Sequence, residues 1–241
     1  TLTIGSESTQ GPTVTVTASN EALEGATVNV LSGILNITST DDCINAANGD
    51  LTDYDFAINI SDGTVTAYSS TGDGFDSNGS LTISGGLVAV WTANGADNEP
   101  LDADGTVTIS GGTVLAAGGS RGMGMNLNAQ QSCLIFGGDA DRMGNPPQEL
   151  PEGTAPESSD SSAPPEAPDR PEQNGQMPTG EQPQTMGGPG NAATLLTEGS
   201  TFSILDAQGN TLFSGTAPCD ISYLLFSAPD LTDGTTATLS C

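Results

Sequence analysis

The sequence predicts an all-β chain: a right-handed parallel β-helix of about five coils, followed by a C-terminal antiparallel β segment. Three observations carry this. A short phrase recurs with drift, as Val28-Asn-Val-Leu-Ser-Gly33, Ile58-Asn-Ile-Ser-Asp-Gly63, Leu81-Thr-Ile-Ser-Gly-Gly86 and Val107-Thr-Ile-Ser-Gly-Gly112, and a period of roughly 20–30 residues marks stacked repeats. Around each copy apolar and polar residues alternate, the period of a strand with one face inward. The 241 residues include 32 glycines and only 34% apolar residues, which suits a thin core between short strands better than one thick core.

Aligning the copies on their glycine assigns the elements in order. Val28, Ile58, Leu81 and Val107 form one inward column and Val30, Ile60, Ile83 and Ile109 the next, together the first wall of the coil. After the glycine, Leu35, Val65, Val88 and Val114, then Ile37, Ala67, Val90 and Ala116, make a second wall. A single apolar residue per turn, Ile44, Phe75, Leu101 and Met125, makes the third. The same spacing places Leu2 with Ile4, Val14 with Val16, and Leu23 in a preceding coil, so residues 1–137 read as the β-helix. A β-propeller is the competing repeat fold, but its blades need about forty residues.

Residues 138–192 hold eleven of the fifteen prolines and almost no apolar periodicity. Such a segment buries too little surface to offset the entropy of ordering it, and a disordered insertion is expected. Residues 193–241 return to strands: Thr201–Leu205 and Thr211–Phe213 around Gly209 read as a hairpin, with Ile221–Phe226 and Thr235–Leu239 beyond. An end coil exposes its apolar interior and an unpaired edge, so this tail is expected to cover the end or one flank, with Cys133–Phe136 as its first strand.

Charge excludes whole classes of partner. Three arginines, no lysine and no histidine stand against 30 acids, a formal charge of −27. Neutralising phosphates needs a basic patch that this chain cannot assemble, which excludes nucleic acid and an anionic membrane surface. No membrane insertion is expected, and a divalent cation is the natural counter-charge. Cys43, Cys133, Cys219 and Cys241 lack CxxC spacing and any histidine, which argues against zinc. Their even number in an acidic, Gly-rich β protein fits a secreted or bacterial cell-surface chain with up to two disulfides, in any of three pairings; buried free thiols are the alternative. The chain opens inside an apolar alternation without a signal peptide, as expected of a piece cut from a protein with further coils upstream.

The register also stacks the acids. Two residues before the third-wall position stand Glu21, Asp42, Asp73 and Glu99; one after it, Glu24, Asn45, Asp76, Asp102 and Asn126; three after it, Ala47, Asn78, Asp104 and Asn128. Rungs lie about 4.8 Å apart, so stacked carboxylates repel by about 1 kcal/mol per pair in water and several-fold more when partly desolvated. A cation relieves this. Calcium takes six to eight oxygens in flexible geometry, and Asp42, Asn45, Asp73, Asp76, Asn78, Glu99, Asp102 and Asp104 are the candidate ligands. A solvated acidic face is the plain alternative. Tyr68 and Trp91 share an outward column with Thr17, Thr38 and Ala117, so the two rings are expected as neighbours, either to stack on sugar rings or to shield a sheet.

Catalysis finds less support. Paired carboxylates such as Asp73 with Asp76 or Asp102 are compatible with glycoside hydrolysis. A lyase combines calcium with a cationic base, and here Arg142 and Arg170 fall in the insertion while Arg121 adjoins a Gly-rich turn and reads as a salt-bridge partner.

The phrases Leu23-Glu-Gly25, Ser39-Thr-Asp-Asp-Cys-Ile-Asn-Ala46, Gly72-Asp-Gly-Phe-Asp-Ser-Asn-Gly79 and Leu101-Asp-Ala-Asp-Gly105, with the repeated Ile-Ser-Gly-Gly, resemble a family. It is the polysaccharide-lyase-like, carbohydrate-binding β-helix proteins of clostridial type. The tail segments Ser203–Asn210 and Ser227–Gly234 resemble that family's closing segment. The resemblance covers about residues 13–137 and 193–241 and implies a calcium-dependent, non-catalytic binder of cellulose or polygalacturonate-like plant polysaccharide. Two departures stand out: Cys43 replaces the family's usual turn glycine, implying a disulfide or a changed turn, and the Pro-rich insertion is unusual. A lyase, an Asp-based hydrolase and a structural surface module or adhesin fragment remain the alternatives.

Overall fold

Each recurrent phrase forms one rung of a three-walled coil in the computed structural model, which describes residues 1–93, 95, 98–119, 125–137 and 193–241. The first wall stacks β1 (Leu2–Ile4), β4 (Thr27–Val30), β7 (Ala57–Ile60), the start of β10 (Ser80–Thr92), the start of β12 (Val107–Gly118) and β13 (Leu127–Ala129). The second stacks β2 (Thr13–Val16), β5 (Ile34–Ser39), β8 (Thr64–Ser69) and the latter parts of β10 and β12. The third stacks β3 (Leu23–Glu24), β6 (Ile44–Ala46), β9 (Phe75–Ser77) and β11 (Leu101–Ala103). Every pairing within the walls is parallel, the architecture is a parallel β-helix, and no helix occurs among the described residues.

The expected columns are the observed registers. Leu2, Val28, Ile58, Leu81 and Val107 pair rung by rung, as do Val14, Leu35, Val65, Val88 and Val114. Their side chains from the second coil onward, with Ile44 and Phe75, are wholly buried inside the coil. Full burial of such a side chain contributes about 1.5–3 kcal/mol. The recurrent glycine turns the corner between the first and second walls. Gly33, Gly63, Gly86 and Gly112 have φ of 115°, 104°, 83° and 78°, and a Cβ at Gly63 or Gly86 would run into the stacked glycine carbonyl of the coil before.

Two expectations need correction. Only four coils carry all three walls: the fifth third-wall position, Met125, is half-buried but forms no strand, and the chain passes directly into β13, where Val107 pairs with Leu127. No disulfide forms, since all four cysteines are free. Cys43 instead fills the interior of its turn, its Sγ 3.1 Å from Ser39 Oγ, and burial pushes its thiol up to about 11. The sequence departure at Cys43 therefore corresponds to a packed thiol.

The tail pairs with the last coil. β14 (Cys133–Gly137) and β17 (Tyr223–Ser227) are antiparallel partners, and β17 also pairs antiparallel with the end of β12, capping the second wall's last parallel edge. β15 (Thr201–Asp206), β16 (Thr211–Thr216) and β18 (Ala237–Ser240) form a separate antiparallel sheet, with β15 central. Between this sheet and the outer face of β10 and β12 lies a second core that includes Trp91, Leu115, Ala117, Phe202, Ile204 and Phe226. The insertion 138–192, with Arg142 and Arg170, and the turn holding Arg121 lie outside the described residues.

Candidate functional site

The third wall gathers the acids because its strands are only two or three residues long. In each, one side chain points inward and the next outward. Leu23, Ile44, Phe75 and Leu101 face the core, so Glu24, Asn45, Asp76 and Asp102 form the outward column, paired in that order. The turn just before each strand adds a second column. There the acids act first as caps for the neighbouring coil: the Asp73 N–H donates to Asp42 Oδ1 at 2.9 Å, and the Glu99 N–H donates to Asp73 Oδ1 at 2.6 Å. A carboxylate is the strong acceptor for such backbone donors.

Capping fixes Asp73 beside the outward column. One carboxylate oxygen from each of Asp73, Asp76 and Asp102 lies within 4.8 Å of the others. Burial, and then the charges of Asp42, Asp102 and Asp76, push the Asp73 carboxyl up to about 7 despite the hydrogen bond from Glu99. Burial, Asp42, Asp102, Asp104 and Glu21 push Asp76 up to about 6. Asp42 and Glu21 are raised as well, mainly by burial. All three arginines lie outside the described residues, so among the described residues no cationic side chain relieves this repulsion.

Asn45 adds an oxygen. It pairs in register with Asp76, is 9% exposed and interacts through its side chain with Glu21, yet its Oδ1 has no hydrogen-bond partner. A buried amide oxygen left unpaired costs about 1–3 kcal/mol, unless a ligand completes it. Asn78 and Asp104 sit exposed at the far end of the same wall, with the Asp104 N–H bonded to the Ser77 carbonyl, and are not in the close triad. Glu99 is buried in the turn that Asp73 caps.

The aromatic column has the expected register but not an open face. Trp91 pairs with Tyr68 on one side and Ala117 on the other. Its indole is 6% exposed and meets Phe202 edge-on at a centroid distance of 5.9 Å. Tyr68 packs half-buried against the same core. The C-terminal sheet covers this end of the second wall, so Trp91 shields a sheet and offers no stacking platform. An aromatic pair that the repeat pattern did not single out is more open: Tyr54, 38% exposed, with Phe56 at 5.2 Å. Its signal was the long turn between β6 and β7, which exceeds the corresponding turns of the other coils.

Chemically, the third wall brings together oxygen donors of the type a hard cation takes, and its raised carboxyls can carry a proton near neutrality. A family model described as carbohydrate-binding domain-containing protein matches residues 7–142. No curated protein and no solved structure matches the chain.

Proposed function

The chain belongs to the family of carbohydrate-binding domain-containing proteins, and on that premise we propose that it binds plant cell-wall polysaccharide without cleaving it and holds calcium on the third wall. Its ligand is cellulose or a polygalacturonate-like polymer, and its setting is the cell surface or the medium. The observation that carries the calcium reading is the convergence of Asp73, Asp76 and Asp102, with Asn45, whose Oδ1 is unpaired, next in register to Asp76. Hard oxygen donors of this kind suit calcium. These four residues would hold the ion, Asp42 supporting them through its bond to the Asp73 backbone. Bound calcium would supply positive charge that offsets the carboxylate repulsion, and with an acidic polymer it would bridge carboxylate to carboxylate. No helix among the described residues is long and apolar enough to cross a membrane.

The test is calorimetric titration of calcium into chelator-treated protein, with pull-down on cellulose and polygalacturonate. Heat of binding that disappears in Asp76→Asn and Asp102→Asn, together with retention on either polymer, is the expected result. No heat and no calcium-dependent change in Tm would sink the metal site. The carboxyl raised to about 7 beside Asp102 favours one further reading, acid-base hydrolysis. A screen for new reducing ends or unsaturated uronides separates the two, since a pure binder releases neither.

A further inference from the structure

The first wall presents a different surface from the third. Its middle outward column runs Thr3, Asn29, Asn59, Thr82, Thr108 and Asn128, each paired with the next. Thr27, Ala57 and Ser80 flank it on one side, and Ser61 and Ser84, which follow the inward Ile60 and Ile83, on the other. None of these side chains is ionisable, on a chain whose formal charge is −27. Six rungs at about 4.8 Å make a flat strip roughly 24 Å long, lined with hydroxyls and amides.

The strip has a fixed aromatic rim. Tyr54 reaches back across the coil so that its hydroxyl lies 2.9 Å from Thr27 Oγ1, and Phe56 supports its ring at an interplanar angle of 55°. The turn that delivers the ring contains Asp53, the one described non-glycine residue with positive φ, at 56°. In the ladder itself Asn59 Nδ2 donates to Asn29 Oδ1 at 3.0 Å, which sets the orientation of both amides. An exposed, held tyrosine beside oriented amides is the combination that binds a sugar: apolar C–H groups on the ring, hydroxyls on the amides.

We infer that this strip, with Tyr54 at its rim, is a glycan-binding surface separate from the third-wall acids, and that its ligand is a neutral β-1,4-linked glycan lying along the coil axis. The inference rests on the carbohydrate-binding reading above. An extended β-1,4-linked hexose advances by about one rung, so each residue of the glycan meets one rung, and the strip spans about five sugars. Neutrality follows from charge: Asp53 and Asp55 beside the ring, and the acidity of the whole chain, repel a polyuronate, whereas the strip itself carries no charge to pair.

Calorimetric titration with cellohexaose tests this, using the full chain with thermal melts as a folding control. Tyr54→Ala and Asn59→Asp should each weaken binding at least tenfold with little change in Tm. Tyr54→Phe keeps the ring and should stay within about threefold of the parent. Leu87→Asp, at the uncovered start of the second wall, where the leucine is 43% exposed, should have no effect. Undiminished binding by Tyr54→Ala and Asn59→Asp, or loss in Leu87→Asp, overturns the assignment of the surface. Retention on polygalacturonate without cellohexaose binding overturns the neutral-glycan inference and leaves the functional reading standing; binding to neither polymer overturns both.

Discussion

Asp73 serves two ends that conflict. As a cap it must accept the Glu99 N–H, which favours its ionised form; as a member of the triad it sits half-buried among other acids, which favours its neutral form. The second effect wins, since its carboxyl is raised from 3.8 to about 7, with Asp76 raised to about 6. A carboxyl with a raised folded-state pKa binds its proton more tightly in the folded chain than in the unfolded one. Its stabilisation is complete below about pH 4 and is lost as pH rises through 6 and 7. The calcium-free protein should therefore melt at higher temperature at pH 5 than at pH 8, and Asp76→Asn should flatten that dependence, as differential scanning calorimetry would report. Calcium competes with those protons, so the increase in Tm that it produces should shrink below pH 6. The glycine beside this residue is constrained by space: a Cβ at Gly74 would strike Val90 Cγ1 and the Pro100 carbonyl. Gly74→Ala should cost about 1–3 kcal/mol by overpacking, measured by urea denaturation.

At the scale of elements, the coil registers were legible in the sequence and the fate of Trp91 was not. Adjacent rungs are separated by roughly 20–30 residues and obey one alternation, so a shared glycine aligns Ile58 with Leu81 and Asp76 with Asp102 without reference to the rest of the chain. The sheet that covers Trp91 comes from β15, β16 and β18, over one hundred residues away, and no period links Phe202 to Trp91. The missing third-wall strand of the fifth coil was hidden for a related reason, since Met125 keeps the repeat's apolar character and yet lies outside any strand. Burial of the single tryptophan gives a direct readout. Phe202→Ala should destabilise the fold by about 3–5 kcal/mol and shift Trp91 emission to the red, while titration of the parent protein with glycan should leave that emission in place.

At the scale of the whole molecule, the described acids of the coil stand in turns and on the third wall, which leaves the first wall uncharged and the interior apolar. The same economy applies to the insertion. The described chain leaves β14 at Gly137 and resumes at residue 193, and a Cβ on Gly137 would already lie 3.4 Å from Leu195 Cδ2. The two ends are thus held near each other by the strands around β17, whatever joins them. Composition predicts that residues 138–192 contribute no packed core, so their main thermodynamic effect is the entropy of closing a long loop. Replacing about 55 residues by about five removes between three and four doublings of loop length, worth about 2 kcal/mol at roughly 0.6 kcal/mol each. A chain in which a short Gly-Ser linker joins residues 137 and 193 should therefore match or exceed the parent in denaturant stability, keep its calcium heat and retain cellohexaose affinity. A loss of more than about 1 kcal/mol would instead assign the segment a packing role against the coil or the tail.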